Sequence, residues 1–224
     1  MTNQLVFFDN QSVSEILQHI EIRVKSFLKL RGVDSSVNIL LSGGDTPIKV
    51  YNGFDGFDID WSRIHFWLAD ERCVPIDDEM RSEFVIKKAI GQSIINKSTF
   101  HGYGSGNALD MAMNYENNLL GVKIFDLAIL GIGEDGHTAS LFPGNELGLE
   151  AGSGFVFPVY NSPKPPSGRV TLTMNKINES EHVMFLLSGE KKREILKKVI
   201  NGENLPASKV RGKQTTSIFY FSNQ

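Results

Sequence analysis

Short apolar runs alternate along this chain with longer segments in which apolar residues recur every three or four positions. Residues 37–41, 64–68 and 125–130 are nearly unbroken apolar runs, and each is too short for a typical helix. Runs of this kind are typical of strands buried on both faces of a parallel sheet. Further runs at 155–160, 170–174, 182–188 and 217–221 predict four more strands.

The segments between these strands carry helix signals. Ser12 and Glu15 form a capping box before a helical apolar stripe that ends near Gly32. Asn107 and Asp110 predict the start of a second capped helix, which runs to Leu120. Helices are also predicted at 83–90 and 189–200, and Thr46 is expected to cap a helix whose first residue is Pro47.

The order of these elements predicts an α/β fold. Strands that alternate with helices need crossover connections, which generate a mostly parallel, doubly wound Rossmann-like sheet covered by helices on both faces. Because no linker-like segment divides the 224 residues, we expect residues 1–224 to form one domain.

Composition excludes several classes of partner. The formal net charge of −3 gives no general attraction to nucleic acid or to an anionic membrane, so neither is expected as a partner. Cys73 is the only cysteine, which rules out an intrachain disulfide and favours a reducing compartment. The first residues lack a signal-peptide pattern and no apolar stretch is long enough to span a membrane, so a cytoplasmic protein is expected.

The most informative segment follows the strand at 125–130. There the chain passes through glycines and then presents Asp135 and His137, the pattern of a strand that carries a histidine to an active-site rim. Gly131, Gly133 and Gly136 also match the G-x-G-x-x-G pattern of dinucleotide sites, but Pro143 and Gly144 leave no room for the sustained helix such a site needs. No cofactor is therefore predicted. A tight turn with a purely structural histidine remains an alternative.

Another glycine loop follows the strand at 37–41 and is called the first glycine loop because it comes first in the chain; the loop after residues 125–130 is the second. The backbone amides and hydroxyls of Ser42, Gly43, Gly44 and Thr46 are suited to an anion such as phosphate. The G-x-x-x-x-G-K-[ST] pattern is absent, so a nucleoside triphosphate site is not expected. An ordinary turn into a helix is the alternative.

Cations that suit an anionic ligand occur in three places. Arg72 follows a predicted strand beside Asp70 and Glu71, although these three residues would equally suit a surface ion pair. Lys164 and Arg169 flank a proline-rich loop, and one lysine of the basic segment at 191–198, such as Lys192, is expected to face inward. No histidines occur at metal-ligand spacing, so no metal site is predicted.

With these motifs in view, the chain resembles the 6-phosphogluconolactonases, cytosolic hydrolases of the pentose phosphate pathway. The resemblance rests on four segments, at 41–47, 70–75, 131–144 and 163–173. It implies a fold shared with glucosamine-6-phosphate deaminases and ribose-5-phosphate isomerases, and hydrolysis of 6-phosphoglucono-1,5-lactone without an obligatory cofactor. It also implies that the first glycine loop, Arg169 and Lys192 hold the phosphate, and that Arg72 reaches the phosphate or the lactone. Asp135 is expected to orient the His137 ring, because it lies two residues before the histidine.

The resemblance leaves two alternative functions. Glucosamine-6-phosphate deaminases share the loop and the Asp-Gly-His element, but they carry a carboxylate where this chain has Phe142, and a phenyl ring can neither accept an imidazole hydrogen bond nor relay a proton. A non-catalytic phosphosugar-binding module would need no histidine.

Asp45 departs from the lactonase pattern and puts an anion beside the phosphate loop. The oligomeric state is not predicted.

Overall fold

Seven parallel strands form the central sheet of the computed structural model, which describes residues 4–221. Their spatial order is β1 (Gln4–Phe8), β10 (Thr215–Phe221), β9 (His182–Ser188), β6 (Leu127–Gly131), β2 (Val37–Leu41), β3 (Ile64–Leu68) and β5 (Thr99–His101). Every pairing in this sheet is parallel, which confirms the predicted α/β architecture. The strands predicted at 37–41, 64–68 and 182–188 have the predicted bounds.

The chain order reverses at the centre of this sheet. From β2 the chain moves outward through β3 to β5, whereas from β6 it moves the other way through β9 to β10. The loops that follow β2 and β6 therefore leave adjacent strands at the same sheet edge. In open α/β sheets such a switch point is where ligands bind.

A second, antiparallel sheet adjoins the first and was not predicted. It contains β4 (Asp70–Arg72), β8 (Arg169–Leu172) and β7 (Val156–Val159), in the order β4-β8-β7. Ala69 alone separates β3 from β4. Its N–H donates to the Leu41 carbonyl at 2.8 Å, and its carbonyl accepts from the Leu172 N–H at 2.9 Å. Backbone hydrogen bonds of one residue therefore join the two sheets.

The helices accompany these strands in chain order. They are α1 (Val13–Leu30), α2 (Asp45–Tyr51), α3 (Ser82–Ile90), α4 (Gln92–Ile95), α5 (Ala108–Leu119), α6 (Met174–Asn178), α7 (Arg193–Ile200) and α8 (Pro206–Lys209), with 3-10 turns at Phe54–Gly56, Trp61–Arg63 and Glu190–Lys192. One cluster of buried apolar side chains from strands and helices forms the core. No helix within residues 4–221 has the length and hydropathy needed to cross a membrane.

Two of the three predicted caps are confirmed. Ser12 and Glu15 form the capping box of α1, and the Asn107 side chain accepts from the N–H groups of Leu109 and Asp110 at the start of α5. The predicted cap at Thr46 is wrong, because α2 begins at Asp45 after Gly44 and no side chain caps it. The predicted helix at 189–200 begins with the 3-10 turn Glu190–Lys192 before α7.

Candidate active site

A polar cavity of about 290 Å³ lies beyond the carboxyl ends of β2, β6 and β9, against the antiparallel sheet. Nine of the ten residues proposed from the sequence line it: Ser42, Gly43, Gly44, Thr46, Arg72, His137, Lys164, Arg169 and Lys192. The tenth, Asp135, contacts His137. Segments that are distant in the sequence therefore meet at the switch point of the sheet.

His137 is held by the carboxylate two residues before it. Asp135 Oδ1 lies 2.5 Å from His137 Nδ1 and also accepts the backbone N–H of His137 at 3.3 Å. The arrangement fixes the ring with the Nδ1 proton toward Asp135, which leaves the lone pair of Nε2 for another partner. The side chain of His137 is 17% exposed, so the ring is partly shielded from water.

The electrostatics of this pair favour a neutral imidazole at pH 7. Burial lowers the pKa of His137, and this outweighs the hydrogen bond and negative charge of Asp135, which raise it. Burial raises the pKa of Asp135, but its hydrogen bond and charge interaction with His137 and the charge of Lys164 bring that pKa below its ordinary value. A neutral imidazole beside an ionised carboxylate is the state that a general base requires.

Gly133 makes room for the histidine ring. A Cβ atom at this position would lie 2.0 Å from His137 Nδ1 and 2.5 Å from Asp135 Oδ1. The Gly133 N–H also donates to the His137 carbonyl at 2.8 Å, which closes the turn. Gly133 therefore serves the close approach of the His137 side chain, and residues 138–142 contain no helix. This geometry argues against the dinucleotide interpretation.

Phe142 occupies the space behind the histidine. It is 1% exposed, and its ring centroid lies 4.8 Å from that of His137. The guanidinium carbon of Arg169 lies 5.6 Å from the same ring. His137 therefore contacts the Asp135 carboxylate through Nδ1 and packs against an apolar ring. Phe142 stands where a second carboxylate would otherwise be able to contact the histidine.

The first glycine loop is tied to the second by a side chain. Ser42 is buried, and its Oγ accepts the Gly131 N–H at 3.0 Å, so this hydroxyl joins the two loops. Gly44 has φ 103° and ψ 153°, a conformation that L-residues with a Cβ atom rarely adopt. Thr46 lies within α2, where its hydroxyl is 3.2 Å from that of Ser188 at the end of β9.

Two arginines face each other across the antiparallel sheet. Arg72 in β4 is the register partner of Arg169 in β8, and both line the cavity. Like charges opposite each other on paired strands repel, so a bound anion would stabilise this arrangement. Arg72 Nε is buried and has no hydrogen-bond partner among the described residues. The cavity is therefore suited to an anionic ligand.

Arg169 and Lys192 also donate hydrogen bonds to backbone carbonyls near the cavity. Arg169 donates from Nη2 to the carbonyls of Lys164 and Pro165 at 3.2 and 3.1 Å, and from Nε to that of Pro166 at 3.2 Å. Lys192 Nζ donates to the Ile132 carbonyl, which confirms that one lysine of the basic segment faces inward. Arg169 therefore also shapes the loop that carries Lys164.

Asp70 lines the cavity but was not among the residues proposed from the sequence. It is 6% exposed, and its Oδ2 accepts the Ser140 hydroxyl at 2.6 Å. The surface ion pair considered for residues 70–72 is wrong, because Asp70 and Glu71 are both buried. Asp70 could have been proposed from the sequence, because it lies two residues before Arg72 and alternate residues of a strand face the same side.

The other histidines lie away from the cavity. His65 and His101 contact each other at 3.2 Å, and His182 Nδ1 lies 2.6 Å from the Thr215 hydroxyl. Within residues 4–221 no group of three histidine, cysteine, aspartate or glutamate side chains is placed to hold a metal ion.

Comparisons with known proteins agree with this geometry. A family model described as glucosamine-6-phosphate isomerases/6-phosphogluconolactonase matches residues 9–219. The chain is 32% identical over 212 residues to a 6-phosphogluconolactonase of Thermotoga maritima, a match that covers 92% of this chain and 93% of the relative. It is 36% identical over 197 residues to one of Mycobacterium leprae, with coverage of 80% and 79%.

Solved structures similar to this chain are also 6-phosphogluconolactonases. The crystal structure of the Thermotoga maritima 6-phosphogluconolactonase superposes with a TM-score of 0.84 at 29% identity, and the match covers 98% of this chain and 100% of that one. A 6-phosphogluconolactonase from Shewanella baltica OS155 also gives a TM-score of 0.84, at 25% identity with full coverage of both chains.

Proposed function

This chain belongs to the glucosamine-6-phosphate isomerase/6-phosphogluconolactonase family, and we propose that it hydrolyses 6-phosphoglucono-1,5-lactone to 6-phosphogluconate in the oxidative pentose phosphate pathway. The observation that carries the proposal is the state of His137. Its Nδ1 is engaged by Asp135, its Nε2 is available, and it lines a cavity that also contains four cationic side chains.

His137 acts first as a base in the proposed reaction. Nε2 removes a proton from water as the water oxygen attacks the lactone carbonyl carbon, which gives a tetrahedral intermediate. The bond between that carbon and the ring oxygen then breaks, and the imidazolium returns its proton to the departing ring oxygen. Asp135 stabilises the transient imidazolium and keeps the reacting tautomer. The new carboxylic acid loses its proton to water.

The phosphate is placed against the first glycine loop. Backbone amides of Gly43 and Gly44 and the Thr46 hydroxyl supply hydrogen bonds, while Arg169 and Lys192 supply charge. Arg72 lies opposite Arg169 and reaches either the phosphate or the lactone. Lys164 adds a further cation near His137. Asp45 also lines the cavity and reduces the net positive charge beside this loop.

We place the reaction in the cytoplasm, in keeping with the single cysteine.

Glucosamine-6-phosphate deamination is the rival reaction within the family. It needs a carboxylate that supports the histidine during ring opening, and Phe142 occupies the corresponding position in the motif. Because the phenyl ring packs on His137 and cannot exchange a proton, the lactonase reaction is favoured.

Turnover of two substrates tests the proposal. Freshly prepared 6-phosphogluconolactone should be hydrolysed well above its spontaneous rate, whereas glucosamine 6-phosphate should release no ammonia. Ammonia release without lactone hydrolysis would assign the deaminase reaction instead. Binding of 6-phosphogluconate without turnover of either substrate would indicate a non-catalytic phosphosugar-binding module.

A further inference from the structure

Glu71 is a fully buried carboxylate that does not line the cavity. Its Oε1 accepts the backbone N–H groups of Arg72 at 2.6 Å and Ser82 at 2.7 Å, and its Oε2 accepts that of Glu83 at 2.8 Å. Arg81 Nε lies 3.7 Å from Oε2, and the Arg81 side chain is also fully buried. Burying this carboxylate is costly, and its amide contacts offset part of that cost.

These contacts join two elements beside the site. Arg72 belongs to β4, whereas Ser82 and Glu83 form the first turn of α3, whose N-cap residue Arg81 provides no side-chain cap. Glu71 therefore caps α3 from outside the helix and holds it against β4. Burial raises the pKa of Glu71 to about 6, although the three amides and Arg81 lower it, so the carboxylate is mostly ionised at pH 7.

Both elements reach the proposed phosphate site. The Arg72 side chain lines the cavity, and its Nη1 donates to the Met80 carbonyl just before α3. Ser82 lies under the first glycine loop, where a Cβ atom on Gly43 would be 2.9 Å from the Ser82 hydroxyl. A shift of Ser82 would therefore disturb Gly43, and a shift of the Glu71 contacts would also disturb Arg72.

We propose that Glu71 is a positioning residue for phosphate recognition, which sets Arg72 and the Gly43 loop at the separation that the phosphate group requires. This inference rests on the proposed function. Glu71 acts through the backbone of its neighbours and touches neither the phosphate nor the reacting carbonyl. Loss of the Glu71 carboxylate should therefore weaken the binding of ligands that carry a phosphate and leave the binding of unphosphorylated ligands unchanged.

Glu71→Gln is the direct test. Glutamine keeps one oxygen for the N–H groups of Arg72 and Ser82, but its NH₂ group then faces the Glu83 N–H, and the charge opposite Arg81 is lost. We expect KM for 6-phosphogluconolactone and Kd for 6-phosphogluconate to rise by about tenfold, the equivalent of roughly one charge-assisted contact. We expect kcat to change by less than about threefold and the binding of unphosphorylated gluconate to be unaffected.

Asp126→Asn provides a matched control. Asp126 is also a fully buried carboxylate that accepts a backbone N–H, that of Asn38 at 2.8 Å, and pairs with an arginine, Arg31. It immediately precedes β6, at the end of the sheet opposite the cavity. This variant should lose thermal stability but keep the wild-type KM and Kd. Thermal unfolding, steady-state kinetics and calorimetric titration with both ligands give the comparison.

Several results would overturn the inference. Unchanged phosphate-ligand affinity in Glu71→Gln would do so, as would an equal loss of affinity for both ligands or a raised KM in Asp126→Asn. If Glu71→Gln fails to fold, Glu71→Asp keeps the charge but is one methylene too short to hold both elements, and the same rise in KM and Kd is expected. A wild-type protein that neither hydrolyses the lactone nor binds 6-phosphogluconate would instead refute the proposed function.

Discussion

The surroundings of His137 give its two ring nitrogens different roles. Asp135 engages Nδ1, Phe142 packs against the ring, and Gly133 lacks the side chain that would collide with it. A histidine so held enters the reaction in one tautomer and one orientation, which avoids an entropic cost at the transition state. The sequence predicted that Asp135 orients His137, because the carboxylate lies only two residues before the histidine, but the hydrogen bond itself could not be derived from that spacing. The sequence also did not predict how closely Gly133 approaches, since that distance depends on the closed geometry of the loop.

His137→Ala should lower kcat for lactone hydrolysis by roughly 10²–10⁴-fold, the usual contribution of a positioned acid or base. KM should change little, because the phosphate contacts proposed here come from other residues. His19→Ala, on an exposed part of α1, is the control and should retain wild-type kinetics. Steady-state rates corrected for spontaneous hydrolysis decide the question, and near-normal turnover by His137→Ala would remove the residue from the mechanism.

At the scale of elements, the site depends on a few positions with special backbone geometry. Gly44 joins β2 to α2 with φ 103°, which lets the first glycine loop turn directly into the helix. A side chain at this position would have to be accommodated by a shift of the loop, even though a Cβ atom there would meet no other atom within 4 Å. The constraint at Gly44 is therefore conformational rather than steric.

Gly44→Ala should lower the free energy of unfolding by about 1–3 kcal/mol, the usual cost of holding an L-residue in a sparsely populated conformation. Movement of the loop should also weaken 6-phosphogluconate binding. Gly121→Ala serves as the control, because Gly121 has no positive φ and a Cβ atom there meets nothing within 4 Å. It should change stability by less than about 0.5 kcal/mol. Chemical denaturation and ligand titration measure both effects, and equal behaviour of the two variants would contradict this explanation.

The elements that could be predicted from the sequence are those with a strong local signal. The strand β3 (Ile64–Leu68) is apolar except for His65, and the capped start of α5 is encoded by Asn107 itself. The three-residue strand β5 (Thr99–His101) is too short for such a pattern. The polar strand β4 exists because β8, about a hundred residues later, pairs with it. Long-range pairing of this kind leaves no local trace, so the second sheet was missed.

At the scale of the whole molecule, buried histidines make stability depend on pH. Burial lowers the pKa values of His101 and His182 to about 4. Between about pH 6.5 and 4 the unfolded chain therefore binds more protons at these residues than the folded one, and the free energy of unfolding falls as the pH falls. The raised pKa of Glu71, about 6, works in the opposite direction over part of this range, because the folded state holds that proton more tightly.

His182→Gln isolates one part of this dependence. His182 is 6% exposed and contacts Thr215 and Arg23, so the variant should be less stable than wild type at pH 7. Between pH 7 and pH 5, however, the free energy of unfolding of the variant should fall less than that of the wild type. The difference between the two losses should be about 2 kcal/mol, because the variant lacks the titrating imidazole. Urea denaturation of both proteins at the two pH values gives this double difference, and parallel losses of stability would show that His182 does not contribute.

Ala69 limits how the cavity can open. Its backbone is hydrogen-bonded to Leu41 in the central sheet and to Leu172 in the antiparallel sheet, so the two sheets cannot move apart without breaking at least one of these hydrogen bonds. Substrate entry by separation of the two sheets is therefore disfavoured. Groups carried by strands, such as Arg72 and Arg169, then stay at a fixed spacing through each turnover, and the hydrogen bond from Arg169 to the Lys164 carbonyl ties the loop that bears Lys164 to the same framework.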